Sequence, residues 1–151
     1  MSTLKKGDKA PAINATDQDG NTLSLEALKG RKVVLYFYPK DDTPGCTAEA
    51  CSLRDNYQQL MNQGYSILGV SPDNQKSHQK FVEKHELPFP LIADTDKTIL
   101  NAYGVWGPKK FMGREYDGVI RTTFIINEKG IIDEVITKVD TKNHAFQVLS
   151  Q

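Results

Sequence analysis

The order of periodic segments along this chain predicts an α/β protein with a mixed central sheet. Apolar β-type runs alternate with helical patterns through most of the sequence. Two β-rich runs near the end are joined only by Glu128-Lys129-Gly130, which reads as a hairpin. The run Val33-Val34-Leu35-Tyr36-Phe37-Tyr38 is continuously apolar, as in a strand covered on both faces. Alternating units build parallel strands, and a hairpin adds antiparallel ones to the same sheet.

The elements follow in order. The first 30 residues carry two turn signals, Asp17-Gln-Asp19-Gly20 and Lys29-Gly30, around the short pattern Leu23/Leu25/Leu28. Residues 32–38 are the first buried strand. A helix then opens at Thr43, a good N-cap, with Pro44 at its first position, where a fixed φ and a missing N–H do no harm. Ala50, Leu53, Tyr57 and Leu60 recur at helical spacing, and Gly64 is the stop. Ser66–Val70 is the next strand and Asn74–Glu86 the next helix, closed by Pro88. Phe89–Ala93 is a third strand, and Asp96–Tyr103 a short helix carrying Ile99, Leu100 and Tyr103. Arg121–Asn127 and Ile131–Lys138 form the hairpin, and the last ten residues are weakly helical. No repeat, linker or low-complexity tract interrupts the chain, so residues 1–151 are expected to form one domain. A three-layer thioredoxin-like α/β/α arrangement fits this order, and so do other α/β folds.

Composition excludes several function classes. Lys+Arg and Asp+Glu are equal at 19 each, so no global charge points to nucleic acid or an anionic membrane. No segment approaches the roughly 18 apolar residues of a membrane span. The first residues, Met1-Ser-Thr-Leu-Lys-Lys-Gly-Asp8, hold no apolar signal-peptide stretch, and the expected compartment is the cytoplasm. Structural disulfides are rare there.

That makes the only two cysteines, Cys46 and Cys51, the informative residues. The reactive form of cysteine is the thiolate, and a free thiol titrates near about 8.5. Cys46 falls in the first turn of the helix expected to open at Thr43, where unpaired N–H groups and the helix dipole favour negative charge. The Thr43 hydroxyl is placed either to donate to that thiolate or to accept from the backbone N–H of residue 46. An arginine from elsewhere would add to the effect. Cys46 shares a helix face with apolar Ala50, Leu53 and Tyr57, whereas Cys51 shares one with Asp55, Gln58 and Asn62.

Five residues of α-helix put two Cα atoms roughly 8–9 Å apart, beyond the ~7 Å reach of a disulfide. Bonding the two sulfurs therefore requires the first turns to unwind, and Gly45 lowers the cost by about 1 kcal/mol relative to Ala. Two buried cysteines acting as small hydrophobes are the alternative. That alternative leaves Cys51, on the polar face, unexplained.

The segment Tyr36-Phe-Tyr-Pro39-Lys-Asp-Asp-Thr43-Pro-Gly-Cys46-Thr-Ala-Glu-Ala-Cys51 resembles the active-site segment of peroxiredoxins, in particular the peroxiredoxin Q or bacterioferritin comigratory protein group. The resemblance extends through Gly7-Asp-Lys-Ala-Pro11, Leu68-Gly-Val-Ser71, Tyr103-Gly-Val-Trp106-Gly and Arg121-Thr-Thr-Phe124. It implies a thioredoxin-like fold and thiol peroxidase activity on hydrogen peroxide and organic hydroperoxides. It also implies no metal or organic cofactor, and thioredoxin or a similar dithiol as reductant. By the resemblance, Cys46 is the peroxidatic cysteine, Cys51 the resolving one, Thr43 the hydroxyl partner, Pro39 the loop proline and Arg121 the site arginine.

The remaining candidates are weaker. Glu49 lies one turn past Cys46 and is either a surface charge or the ion-pair partner of a basic group at the site. His78, His85 and His144 show no metal-ligand spacing to the cysteines and are expected at the surface or its boundary. Asp94 suits a turn and helix cap better than a cation site. Trp106 and the segment with Lys109, Lys110, Phe111, Met112 and Arg114 read as a glycine-rich loop. Two other functions use the same cysteines. A general disulfide oxidoreductase is disfavoured by Cys-x4-Cys spacing and by Ile120-Arg121-Thr122 where a proline would stand; a redox sensor or chaperone remains open. No exposed apolar stripe calls for self-association, so a monomer is expected.

Overall fold

The computed structural model describes residues 2–151. Nine strands and five helices are defined. In chain order they are β1 (Asn14–Thr16), β2 (Thr22–Ser24), β3 (Lys32–Phe37), α1 (Pro44–Asp55), α2 (Tyr57–Asn62), β4 (Tyr65–Ser71), α3 (Gln75–His85) and β5 (Leu91–Ala93). Then follow α4 (Thr98–Ala102), β6 (Trp106–Phe111), β7 (Arg114–Val119), β8 (Thr122–Ile126), β9 (Ile132–Ile136) and α5 (His144–Leu149).

The central sheet has the order β5-β4-β3-β8-β9. β3, β4 and β5 run parallel, and β8 and β9 are antiparallel additions, as the late hairpin required. β3 is the middle strand, and its alternation feeds two cores. Val33, Leu35 and Phe37 face one side with Leu100, Tyr103 and Phe124. Val34, Tyr36 and Tyr38 face the other, with Leu53 of α1, Leu60 of α2, Phe81 of α3 and Val148 of α5. The sheet is thus the middle of three layers. Gly69, opposite Tyr36 in the β3–β4 register, lets the Tyr36 ring lie against the neighbouring strand. A Cβ there would stand 2.6 Å from Leu91 Cδ2 and 2.9 Å from the ring.

Several expectations change. The helix expected to run from Thr43 to Gly64 breaks at Asn56 into α1 and α2; the Asn56 side chain donates back to Ser52 O at 2.9 Å, an alternative to regular helix. The stretch around Trp106 is the paired hairpin β6–β7, with Trp106 opposite Val119. Its proline, Pro108, is tolerable in a ribbon that pairs on one side only. The first turn signal closes a second small hairpin, β1–β2. The N-cap position of α4 is Lys97, yet Asp94 supplies the capping acceptors from three residues earlier, taking Ile99 N at 3.1 Å and Leu100 N at 2.8 Å.

Candidate active site

β3 delivers the chain to the site. At its end Tyr38 is fully buried and half-buried Pro39 turns the backbone into the loop 39–43. That loop is pinned from below. Tyr38 Oη donates to Asp41 Oδ1 at 2.6 Å, Ser77 Oγ to Asp41 Oδ2 at 2.8 Å, and Asp41 N to Asp73 Oδ2 at 2.7 Å. His78 Nδ1 lies 2.6 Å from Asp41 Oδ2 and its Nε2 lies 3.0 Å from Ile92 O. Outside, Asp42 meets Lys84 Nζ at 2.8 Å and His85 Nε2 at 3.2 Å. The start of α1 is therefore fixed to α3 and the β4–α3 corner.

Thr43 is the N-cap of α1 and Pro44 its first residue, as the sequence predicts. The cap side chain departs from expectation. Thr43 Oγ1 donates to Lys40 O at 2.9 Å and makes no cap bond to residue 46. Tightening the loop takes its proton, and its oxygen lone pairs remain as acceptors. Cys46 is 1% exposed and Cys51 half-buried; both are free thiols on one unbroken helix. Five residues of intact helix thus hold their Cα atoms roughly 8–9 Å apart, beyond disulfide reach.

Arg121 arrives at the head of β8, next to the end of β3, because Thr122 pairs with Phe37. Its guanidinium divides its donors. Nη2 donates to Cys46 Sγ at 3.3 Å and Nη1 to Glu49 Oε1 at 2.6 Å. A planar fork reaches the two acceptors from two separate nitrogens in fixed directions, which a single ammonium nitrogen does not reproduce. Gly45 leaves room for the approach, since a Cβ there would lie 3.3 Å from Arg121 Nη2 and press on the guanidinium. Glu49 is fully buried, so the surface-charge alternative falls. Burial pushes its pKa up to about 7 against the opposing pull of Arg121. Tyr36 also has its hydroxyl in this interior, and burial, then the charge of Glu49, raises its pKa well above the ordinary value.

The histidines correct the sequence expectation most. His78 and His144 are both 0% exposed. His78 fixes the loop, and His144, on α5, approaches Glu49 Oε2 at 3.5 Å through Nε2. Sequence reasoning missed both because an isolated histidine carries no periodic signal. Only the apolar companions Phe81 and Val148 on the same short helices hinted at buried faces. Among the described residues no cluster of His, Cys, Asp or Glu is suited to a metal ion, and no helix is long and apolar enough to cross a membrane.

A thiol at a helix start, under an arginine, in a five-stranded mixed sheet defines a thiol-based redox protein of the thioredoxin fold. Comparison with known proteins agrees. Residues 6–135 match the AhpC/TSA family. The chain is 47% identical over 149 residues to the putative peroxiredoxin Bcp of Coxiella burnetii, covering 99% of both chains. It is 44% identical over 150 residues to peroxiredoxin Bcp of Escherichia coli K12, covering 99% of this chain and 96% of that one.

Among solved structures it is similar to a peroxiredoxin Q mutant of Xylella fastidiosa, with TM-score 0.93, 30% identity, and coverage of 99% of this chain and 96% of the other. It is also similar to the bacterioferritin comigratory protein of Xanthomonas campestris, described for alkyl peroxide reduction, with TM-score 0.85, 35% identity, and coverage of 91% and 88%. The chain belongs to the AhpC/TSA family. Within it, this is a peroxiredoxin, a thiol-dependent peroxidase.

Proposed function

We propose that Cys46 is the peroxidatic cysteine and Cys51 the resolving cysteine of a peroxidase acting on hydrogen peroxide and organic hydroperoxides. The observation that carries this is the Arg121 guanidinium, held by buried Glu49 and donating to the Cys46 sulfur. A fixed donor at that point meets negative charge as it passes from sulfur to the peroxide oxygens. The Cys46 thiolate attacks the terminal oxygen and the O–O bond breaks. The departing alkoxide or hydroxide takes up a proton to leave as alcohol or water, and Cys46 becomes a sulfenic acid. Arg121 and Pro39 shape the pocket for the peroxide, and Thr43, whose proton is committed to Lys40 O, accepts from the peroxide O–H. Glu49 acts through Arg121.

Unwinding of the start of α1 then brings Cys51 to Cys46. Its thiol attacks the sulfenic sulfur, water leaves and a disulfide forms. An external dithiol, of the thioredoxin type, restores both thiols by exchange. The protein is read as one domain, working as a cytoplasmic monomer without metal or organic cofactor. The test is chemical trapping. Peroxide treatment of the wild type should yield a Cys46–Cys51 disulfide by peptide mass mapping, and Cys51→Ser should hold a sulfenic acid on Cys46 that dimedone captures. Dimedone on residue 51 of Cys46→Ser instead would reverse the two roles.

A further inference from the structure

Glu49 Oε2 is fully buried and has no hydrogen-bond partner, although Oε1 of the same carboxyl is held tightly by Arg121. A buried carboxyl oxygen left without a partner is costly. On the α5 side, His144 Nε2 lies 3.5 Å away. The imidazole is not free to turn. The Gln147 amide donates through Nε2 to Lys138 O at 2.9 Å, so its Oε1 faces Asp140 N at 2.9 Å and His144 Nδ1 at 2.7 Å. An acceptor on that side puts an N–H on Nδ1. The neutral ring then presents the Nε2 lone pair to Thr123 Oγ1 at 2.8 Å and to Glu49 Oε2.

A carboxylate facing an imidazole lone pair across 3.5 Å is repelled by it; the Thr123 hydroxyl can donate to Nε2 but leaves Oε2 without a donor. With one proton on either atom, the contact becomes O–H···N or N–H···O, and Glu49 is held at both oxygens. Arg121 is then aimed by a carboxyl that cannot rotate. The charged and titratable groups around the pair are Arg121 at the head of β8, Cys46 on α1, Tyr36 on β3 and Asp140 before α5. Of these Tyr36 has a buried hydroxyl that also lacks a partner.

We propose that His144 is a positioning residue of the peroxidase step: one proton shared between His144 Nε2 and Glu49 Oε2 fixes the Glu49 carboxyl and through it the Arg121 guanidinium against Cys46. The inference rests on the peroxidase role of Cys46 given above. Burial favours the neutral form of both members, raising Glu49 and lowering His144. The proton therefore leaves the pair as pH rises past neutrality. Oε2 then has no donor on the His144 side, the carboxylate turns, and the donor on Cys46 loosens.

The test is the rate of the first oxidation step against pH, by rapid mixing of reduced protein with hydrogen peroxide. Wild type should show a falling limb above neutral pH. His144→Gln puts a permanent amide N–H near the position of Nε2, so the limb should vanish while the peak rate stays within about threefold of wild type. His144→Phe removes the partner, and the peak rate should fall on the order of tenfold. A change that merely loosened α5 would not remove the limb in one variant while keeping its rate.

A second measurement needs no change at His144. The 15N shift of His144 Nε2 should move across the pH range of the limb, and Glu49→Gln should abolish that movement. A fast wild type whose limb persists in His144→Gln, with His144→Phe unchanged in rate, would overturn this inference alone. A stationary Nε2 shift would overturn it too. A wild-type rate no faster than free cysteine would overturn the peroxidase reading itself.

Discussion

Replacing Ala48 by glycine should accelerate disulfide formation without changing peroxide attack. Ala48 is a half-buried residue of α1 lying between the two cysteines. While the helix is intact, five residues of rise and turn keep the Cα atoms roughly 8–9 Å apart, so the sulfurs cannot join. Any unwinding that joins them must include residue 48. Glycine in a helix interior costs about 1 kcal/mol relative to alanine, which raises the unwound population about fivefold. If the unwound form is the reactive one, resolution speeds up by the same factor. The first step, as proposed, runs through Cys46, Thr43 and Arg121, none of which is changed, and should be unaffected.

The assay is rapid mixing with one equivalent of hydrogen peroxide and acid quench, followed by mass analysis of sulfenic acid and disulfide. Ala48→Gly should show the same first phase and a second phase about fivefold faster, with less over-oxidation to sulfinic acid. A second phase equal to or slower than wild type would refute resolution through unwinding of α1.

Other outcomes follow from the same geometry. Arg121→Lys keeps the charge but loses the fixed two-nitrogen fork that reaches Glu49 and Cys46, so first-step reactivity should drop on the order of a hundredfold, read by stopped flow. Gly69→Ala introduces a Cβ 2.6 Å from Leu91 and 2.9 Å from Tyr36, and should lower unfolding free energy in urea by about 1–3 kcal/mol. Glu49 has its pKa raised from an ordinary 4.5 to about 7, so the folded protein binds the extra proton between those values. Its contribution to stability is full below 4.5 and is lost as pH rises through about 7, by at most ~1.4 kcal/mol per pH unit. His144, lowered by burial, tilts the balance the opposite way just below its ordinary value. Glu49→Gln should flatten the fall, measured by urea unfolding from pH 4 to 8.

What the sequence made legible is local. β3, the start of α1 and the two faces of that helix come from apolar runs, a cap, a proline and a period, all within a few residues of Cys46. The two faces of that helix likewise distinguish buried Cys46 from half-buried Cys51, whereas the peroxidase chemistry was legible only through the resemblance of segment 36–51. The rest is set by distant packing. Glu49 is buried because α5 closes over α1, with Ser52 Oγ accepting from Ala145 N at 3.1 Å. No pattern around residue 49 encodes a helix ninety residues later. The β6–β7 ribbon has a sequence of loop-forming Gly, Pro and charged residues, and cross-strand pairing overrides that propensity. Thr43 shows the limit of motif reasoning at atomic detail. The residue type and place were right, yet its proton goes to Lys40 O, which only the folded turn reveals.

The measurement closest to the central claim is the reaction of fully reduced protein with one equivalent of hydrogen peroxide, followed by stopped flow as loss of thiol. Wild type and Cys51→Ser should react orders of magnitude faster than free cysteine, and Cys46→Ser no faster than free cysteine. Equal rates for wild type and Cys46→Ser, or a wild-type rate matching free cysteine, would contradict it.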